Sequence, residues 1–95
     1  MGRALTIQRT TVPAGEREKY FERLRQSESH YRAANCRFWV CEEGALPGAF
    51  IEFTEADDAT TLAVAHANAP HRILDPARIY HETEIGSNAV QKNLD

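Results

Sequence analysis

His66 and His71 flank Pro70 in the stretch Ala65-His66-Ala67-Asn68-Ala69-Pro70-His71. Their imidazoles are the groups of this chain best suited to moving a proton near neutral pH. His66 shares a helical face with Leu62, which aims it into the space between a helix and a sheet. There it would accept a proton from an acidic hydroxyl or carbon, or else serve as a hydrogen-bonded histidine at the rim of a core. His71 follows the proline that ends the helix, at the mouth of such a space or simply in an exposed loop. On a regular helix the two imidazoles diverge by more than a quarter turn, so they are no metal pair. His30 and His81 add no cysteine or carboxylate at a zinc or iron spacing.

Glu52 is the carboxylate that stands out. It alternates with Ile51 and Phe53 and lies between Phe50 and Thr54, so contact with a partner should desolvate it. A carboxyl among aromatic neighbours suits acid–base work, and an intersubunit ion pair with Arg9 or Arg37 is the alternative. Trp39 and Tyr80 offer rings for a planar ligand, while Tyr20 and Tyr31 offer hydroxyls. Ser27 leaves a small polar gap among the large residues of its helix, enough to line a cavity. It has no acid–base partner nearby that would make it a nucleophile.

The elements that must position these side chains are legible from the alternation of apolar and polar residues. Ala4 to Val12 reads as a strand, with Leu5 and Ile7 on one side and Thr6, Gln8 and Thr10 on the other. Pro13-Ala14-Gly15 ends it and opens a helix from Glu16 to Ala34, on which Tyr20, Leu24, Ser27, Tyr31 and Ala34 share a face. Asn35 suits a left-handed helix end. Strands follow from Cys36 to Glu43 and from Ala49 to about Thr54, joined by a turn rich in glycine. Glu55, Asp57 and Asp58 precede a second helix, which Pro70 ends. A loop with Asp75-Pro76 leads to a last strand, Arg78 to Ile85. The order is βαββαβ: a ferredoxin-like α+β domain over residues 1–85, followed by a polar tail over 86–95.

A four-stranded antiparallel sheet with two helices on one face has a second face to cover. The alternation assigns Leu5, Ile7, Phe38, Val40, Ile51 and Phe53 to the helices, and Trp39, Cys41 and Phe50 to the other side. Those aromatics would leave an apolar patch on a monomer, and a two-fold homodimer through the sheet face is the simplest cover. The net charge of −3 comes without a basic stripe, which argues against nucleic acid as a partner. No window approaches a membrane-spanning length and no apolar signal core opens the chain, so no membrane is expected. Cys36 and Cys41 fall on opposite sides of one strand and read as buried thiols rather than a bridge, which suits a reducing cytoplasm.

The order of elements, together with Glu55 and the closing Ala-His-x-x-x-Pro-His, resembles the dimeric α/β-barrel superfamily, and within it the antibiotic biosynthesis monooxygenase-like domains. The resemblance implies a homodimer whose sheets face each other, with a small cavity in each protomer between sheet and helices. It implies a small cytoplasmic enzyme acting on a compact aromatic or enolisable metabolite, as a cofactor-independent monooxygenase or an isomerase. His66 would be the catalytic proton-transfer group, with Trp39, Tyr31, Glu52 and His71 binding the substrate. No metal or other cofactor is implied: the haem-degrading relatives use an Asn/Trp/His set, whereas here Gln8 replaces the asparagine and Trp39 lies on a strand. The alternative is a noncatalytic dimeric module that binds a small ligand or supports another protein.

Overall fold

The computed structural model describes residues 3–86. Its elements are β1 (Ala4–Thr11), a 3-10 turn (Ala14–Glu16), α1 (Arg17–Ala33), β2 (Arg37–Glu42), β3 (Ala49–Ala56), α2 (Ala59–Ala67) and β4 (Tyr80–His81). The strands form one antiparallel sheet in the order β2-β3-β1-β4. This is an α+β arrangement compatible with a ferredoxin-like fold. Of the expected tail over 86–95, all but Gly86 lies outside the described residues. Among the described residues no helix is long and apolar enough to cross a membrane.

Local chemistry sets the boundaries. Asn35 takes φ 65°, the left-handed turn that ends α1 and returns the chain into β2. Asp58 caps α2 by accepting a hydrogen bond from the Thr61 backbone N–H at 2.7 Å, a contact that lowers the carboxyl pKa. At Gly48 (φ 94°), a Cβ would come within 2.8 Å of the Val12 carbonyl oxygen, so the turn into β3 requires glycine. The carbonyl of Gly48 accepts from Val12 N–H at 2.8 Å, tying this turn to the end of β1.

Three expected boundaries move. α2 stops at Ala67 with Asn68 as its cap, short of the Pro70 expected to end it. β3 runs on through Glu55 and Ala56, because both continue the ladder opposite Leu5 and Ala4. β4 is only two residues long rather than spanning Arg78 to Ile85. His81 already stands opposite Ala4, so beyond it the chain passes the start of β1 and soon has no strand to pair with.

The assignment of sheet faces also needs correction. The ladders place Phe38 across from Thr54 and Thr54 across from Thr6; likewise Val40, Glu52 and Gln8 fall in one row. These residues therefore share a face, and it is the one the helices cover, since Tyr20 of α1 reaches Glu52 and His66 of α2 reaches Thr6. Leu5, Ile7, Ile51 and Phe53 point the other way, alongside Trp39 and Tyr80. Phe50 moves in the opposite sense, to the helix-covered side. Alternation within each strand holds, but the phase of β2 relative to β1 and β3 is the reverse of the expectation.

The core is compact and sits between α2, the end of α1 and the strands: Ala4, Tyr31, Cys36, Ala56, Leu62 and Ala65 are buried together, with Phe38 packed against them. Complete burial of Leu62 contributes about 1.5–3 kcal/mol. Cys36 and Cys41 are free thiols, but only Cys36 is buried; Cys41 is exposed on the open face. Burial pushes the Cys36 thiol pKa up, which suits an inert core residue.

Candidate active site

The small residues of the helix-covered face leave room, and the helices fill it with polar groups. Tyr20 and Tyr31 are eleven positions apart on one stripe of α1, and both side chains turn down onto the sheet. The Tyr20 hydroxyl donates to Glu52 Oε2 at 2.7 Å, and Gln8 Nε2 donates to Glu52 Oε1 at 3.3 Å. The Gln8 carbonyl oxygen in turn accepts from the Leu74 backbone N–H at 2.7 Å. Gln8 thus joins the carboxylate to the loop that follows α2. A carboxylate offers about four lone-pair sites, so Glu52 keeps capacity toward the space beside it.

That space is a cavity of about 50 Å³ bounded by Glu52, Tyr31, Thr6, Thr54 and Ser27, with Phe38 as its apolar wall. Ser27 lines a cavity, as its small size among large neighbours suggested. The mouth is formed by Arg23 of α1 and by His71, Arg72 and Asp75 of the loop after α2. His71 Nε2 sits 2.5 Å from Gln26 Oε1 of α1 and so fastens the loop to the helix.

His66 stands behind this cavity rather than in it. Its Nε2 lies 2.8 Å from Thr6 Oγ1 and its Nδ1 2.8 Å from the Tyr31 hydroxyl, and both of those groups line the cavity. The Tyr31 ring meets the imidazole edge-on at 5.3 Å and stacks on Phe38 at 5.4 Å, so its orientation is held from both sides. Burial depresses the His66 pKa to about 4, and the neighbouring His30 adds to the depression. The imidazole is therefore neutral at pH 7. His30 itself donates from Nε2 to the Ala65 carbonyl at 2.8 Å, linking α1 to α2. Tyr31 is pushed up to about 12, chiefly by burial, with the nearby Cys36 and Glu52 adding to it. Burial and the Glu52 hydrogen bond raise Tyr20 as well. Both phenols therefore keep their protons under ordinary conditions.

A neutral imidazole between two hydroxyls has two arrangements. With the proton on Nε2, Tyr31 donates to Nδ1 and shows only lone pairs to the cavity. With the proton on Nδ1, Tyr31 accepts from the imidazole, and its own O–H is free to point at a bound molecule. Thr6 then donates to Nε2. The tautomer of His66 decides whether the cavity wall offers a donor or an acceptor.

Of the residues singled out from sequence, Glu52, Tyr31 and His71 line this one cavity, and His66 reaches it through Tyr31 and Thr6. Glu52 is covered by α1 rather than by a partner, because it faces the helices. Trp39 is not brought to the site: it stacks on Phe53 on the open face, with ring centroids 5.1 Å apart and planes at 11°. Tyr20, expected to offer a hydroxyl, lines the cavity too and gives that hydroxyl to Glu52, while Thr6, Gln8, Arg23 and Arg72 join the site without having been singled out for it. The alternation of Thr6 and Gln8 with Leu5 and Ile7 carried the signal, once the polar side of β1 is taken as the covered one. Among the described residues no three His, Cys, Asp or Glu side chains converge as a metal site. No protein-family model matches the chain, and no curated protein or solved structure matches it significantly.

Proposed function

We propose that this protein is a small enzyme that moves a proton on a compact, enolisable molecule, acting as a homodimer joined through the open sheet face. The observation that carries the reading is the meeting of Glu52 and Tyr31 in one cavity, with His66 holding Tyr31 from behind. In this scheme the C–H bond beside a carbonyl breaks and its proton passes to the Glu52 carboxylate. The electron pair moves to the carbonyl oxygen, where the Tyr31 O–H donates a hydrogen bond while His66 carries its proton on Nδ1. Return of the proton to a different carbon completes an isomerisation. Reaction of the same anion with dioxygen would give the cofactor-independent oxygenation that the family resemblance implies. With its pKa near 4, His66 is a weak base, and its part is to position Tyr31.

The cavity volume favours an enolisable molecule over an aromatic one: about 50 Å³ is well below the roughly 150 Å³ of a dry cavity that accepts benzene. The dimer rests on the open face, where Trp39, 42% exposed, forms a cross-strand row with Phe53 and Ile7, beside Ile51 and Leu5. A second reading, a noncatalytic ligand-binding module, draws on the internal hydrogen bonds already made by Glu52, Gln8, Tyr20 and Tyr31.

The two readings separate by NMR in deuterium oxide, with short ketones and oxo acids as probes. Wild-type protein is expected to accelerate exchange at the carbon beside the carbonyl. Glu52→Gln should slow this by at least about a hundredfold, the lower end of what a positioned acid–base group supplies. Binding without any accelerated exchange would leave the module reading. Oxygen uptake during the same incubation distinguishes oxygenation from isomerisation.

A further inference from the structure

The arginines of this chain divide into two groups. Arg3, Arg17, Arg25, Arg32, Arg37 and Arg78 each pair with a carboxylate of the chain at 2.7–3.2 Å. Arg9, Arg23 and Arg72 form no ion pair among the described residues. Arg9 lies on the open face of the sheet, opposite Ile51. Arg23 and Arg72 both border the cavity, one from α1 and the other from the loop after α2.

The carboxylates near them are already engaged. Asp75, which shares the mouth, is held by Arg78 at 3.2 Å. Glu22, next to Arg23 in the chain, is taken by Arg25 at 2.9 Å. Glu52 accepts from Tyr20 and Gln8 deeper inside. A protein of net charge −3 therefore presents two guanidinium groups without a carboxylate partner among the described residues at the entrance to this polar cavity, Arg23 with its Cζ carbon 5.8 Å from the centre of the Tyr20 ring. Guanidinium groups match a carboxylate with paired N–H donors, and such charge-assisted bonds are stronger than those between neutral groups.

The cavity size makes the same demand. At about 50 Å³ it admits the reacting end of a molecule and leaves the remainder at the mouth. From these observations we infer that the substrate is a short oxo acid, bound with its carboxylate between Arg23 and Arg72 and its carbonyl end toward Tyr31 and Glu52. This inference rests on the proton-transfer reading for the orientation of the carbonyl, but the carboxylate preference can be measured separately.

The test uses the full chain, with 2-oxobutanoate and 4-oxopentanoate as probes and their methyl esters as uncharged counterparts. Binding is followed by NMR titration, and exchange beside the carbonyl is followed in deuterium oxide. At least one acid is expected to bind about tenfold or more tightly than its ester, the scale of a hydrogen bond to a charged group. Arg23→Gln combined with Arg72→Gln should remove that preference and leave ester binding as in wild type. Both side chains are exposed, and an unchanged circular dichroism spectrum checks the fold of the double variant. Equal binding of acid and ester, absence of binding by every probe, or a preference that survives the double substitution would each overturn the inference. Selective acid binding without proton exchange would uphold the arginine clamp and refute only the catalytic reading.

Discussion

Along the central strands β1 and β3, much of the sheet inverts the usual distribution of polarity, although Phe50 lies under the helices and Arg9 and Glu55 lie on the open side. Beneath the helices lie Thr6, Gln8, Glu52 and Thr54, while the uncovered side carries Leu5, Ile7, Ile51, Phe53 and Trp39. A domain folding only for its own stability would put the second set under the helices, because apolar burial is the largest favourable term it has. Here the covered face is given to hydrogen-bonded groups around a cavity, and core packing is concentrated near Tyr31, Leu62 and the two alanines of the paired strand ends, Ala4 and Ala56. Under the proposed function this difference gives the two faces separate tasks: one holds a site and the other meets a second copy.

The comparison breaks most sharply at Trp39. If a second copy covers the open face, Trp39→Glu replaces the exposed ring stacked on Phe53 at the β2 edge with a charge. This should weaken association by on the order of 4 kcal/mol, comparable to a strong interface hot spot. Sedimentation velocity should then show wild-type dimers and variant monomers at micromolar concentration. A variant as dimeric as wild type would move the interface elsewhere.

On the covered face, Thr6→Val keeps the shape and removes the hydroxyl that partners His66. Leaving a partly buried ring nitrogen unsatisfied should cost about 1–3 kcal/mol in denaturant unfolding. A neutral result would mean that the polar row is dispensable to the fold.

The smallest expected effect is a pH dependence. The folded pKa of His66 is depressed to about 4 from its ordinary 6.5, so the unfolded chain binds more protons between those values. The contribution of His66 to stability is thus complete above pH 6.5 and is lost as the pH falls toward 4. Because the imidazole is only partly shielded from solvent, we expect a loss of roughly 1 kcal/mol. His66→Gln should flatten that part of the profile, and an unaltered slope would place the titration on other groups.

The strand–helix order and the alternation within each strand were legible because each depends on neighbours in sequence. Relative phase between strands was not, since it is set by pairing across residues far apart in the chain. Expecting apolar residues inside then selected the wrong side for Leu5, Ile7, Ile51 and Phe53. Glu52 was recognised as a carboxyl to be desolvated, yet the agent is Tyr20 of α1. Helical periodicity aimed Tyr31 and His66 inward, but their contact spans two helices and no local pattern encodes it. No local pattern sets Arg23 and Arg72 apart from the other arginines. What distinguishes them is that the carboxylates around them are occupied elsewhere, which is a property of the folded chain.

The bond from the Leu74 N–H to Gln8 has a consequence in time as well as in space. Leu74 is 85% exposed, so little besides that side-chain oxygen shields its amide from solvent. Since Gln8 also holds Glu52, any event that draws the carboxylate toward a guest, or turns the Gln8 amide, alters the protection of a single backbone proton on the outer loop. The hydrogen-exchange rate at Leu74 is thus a built-in clock for the cavity floor, readable at the surface without a label.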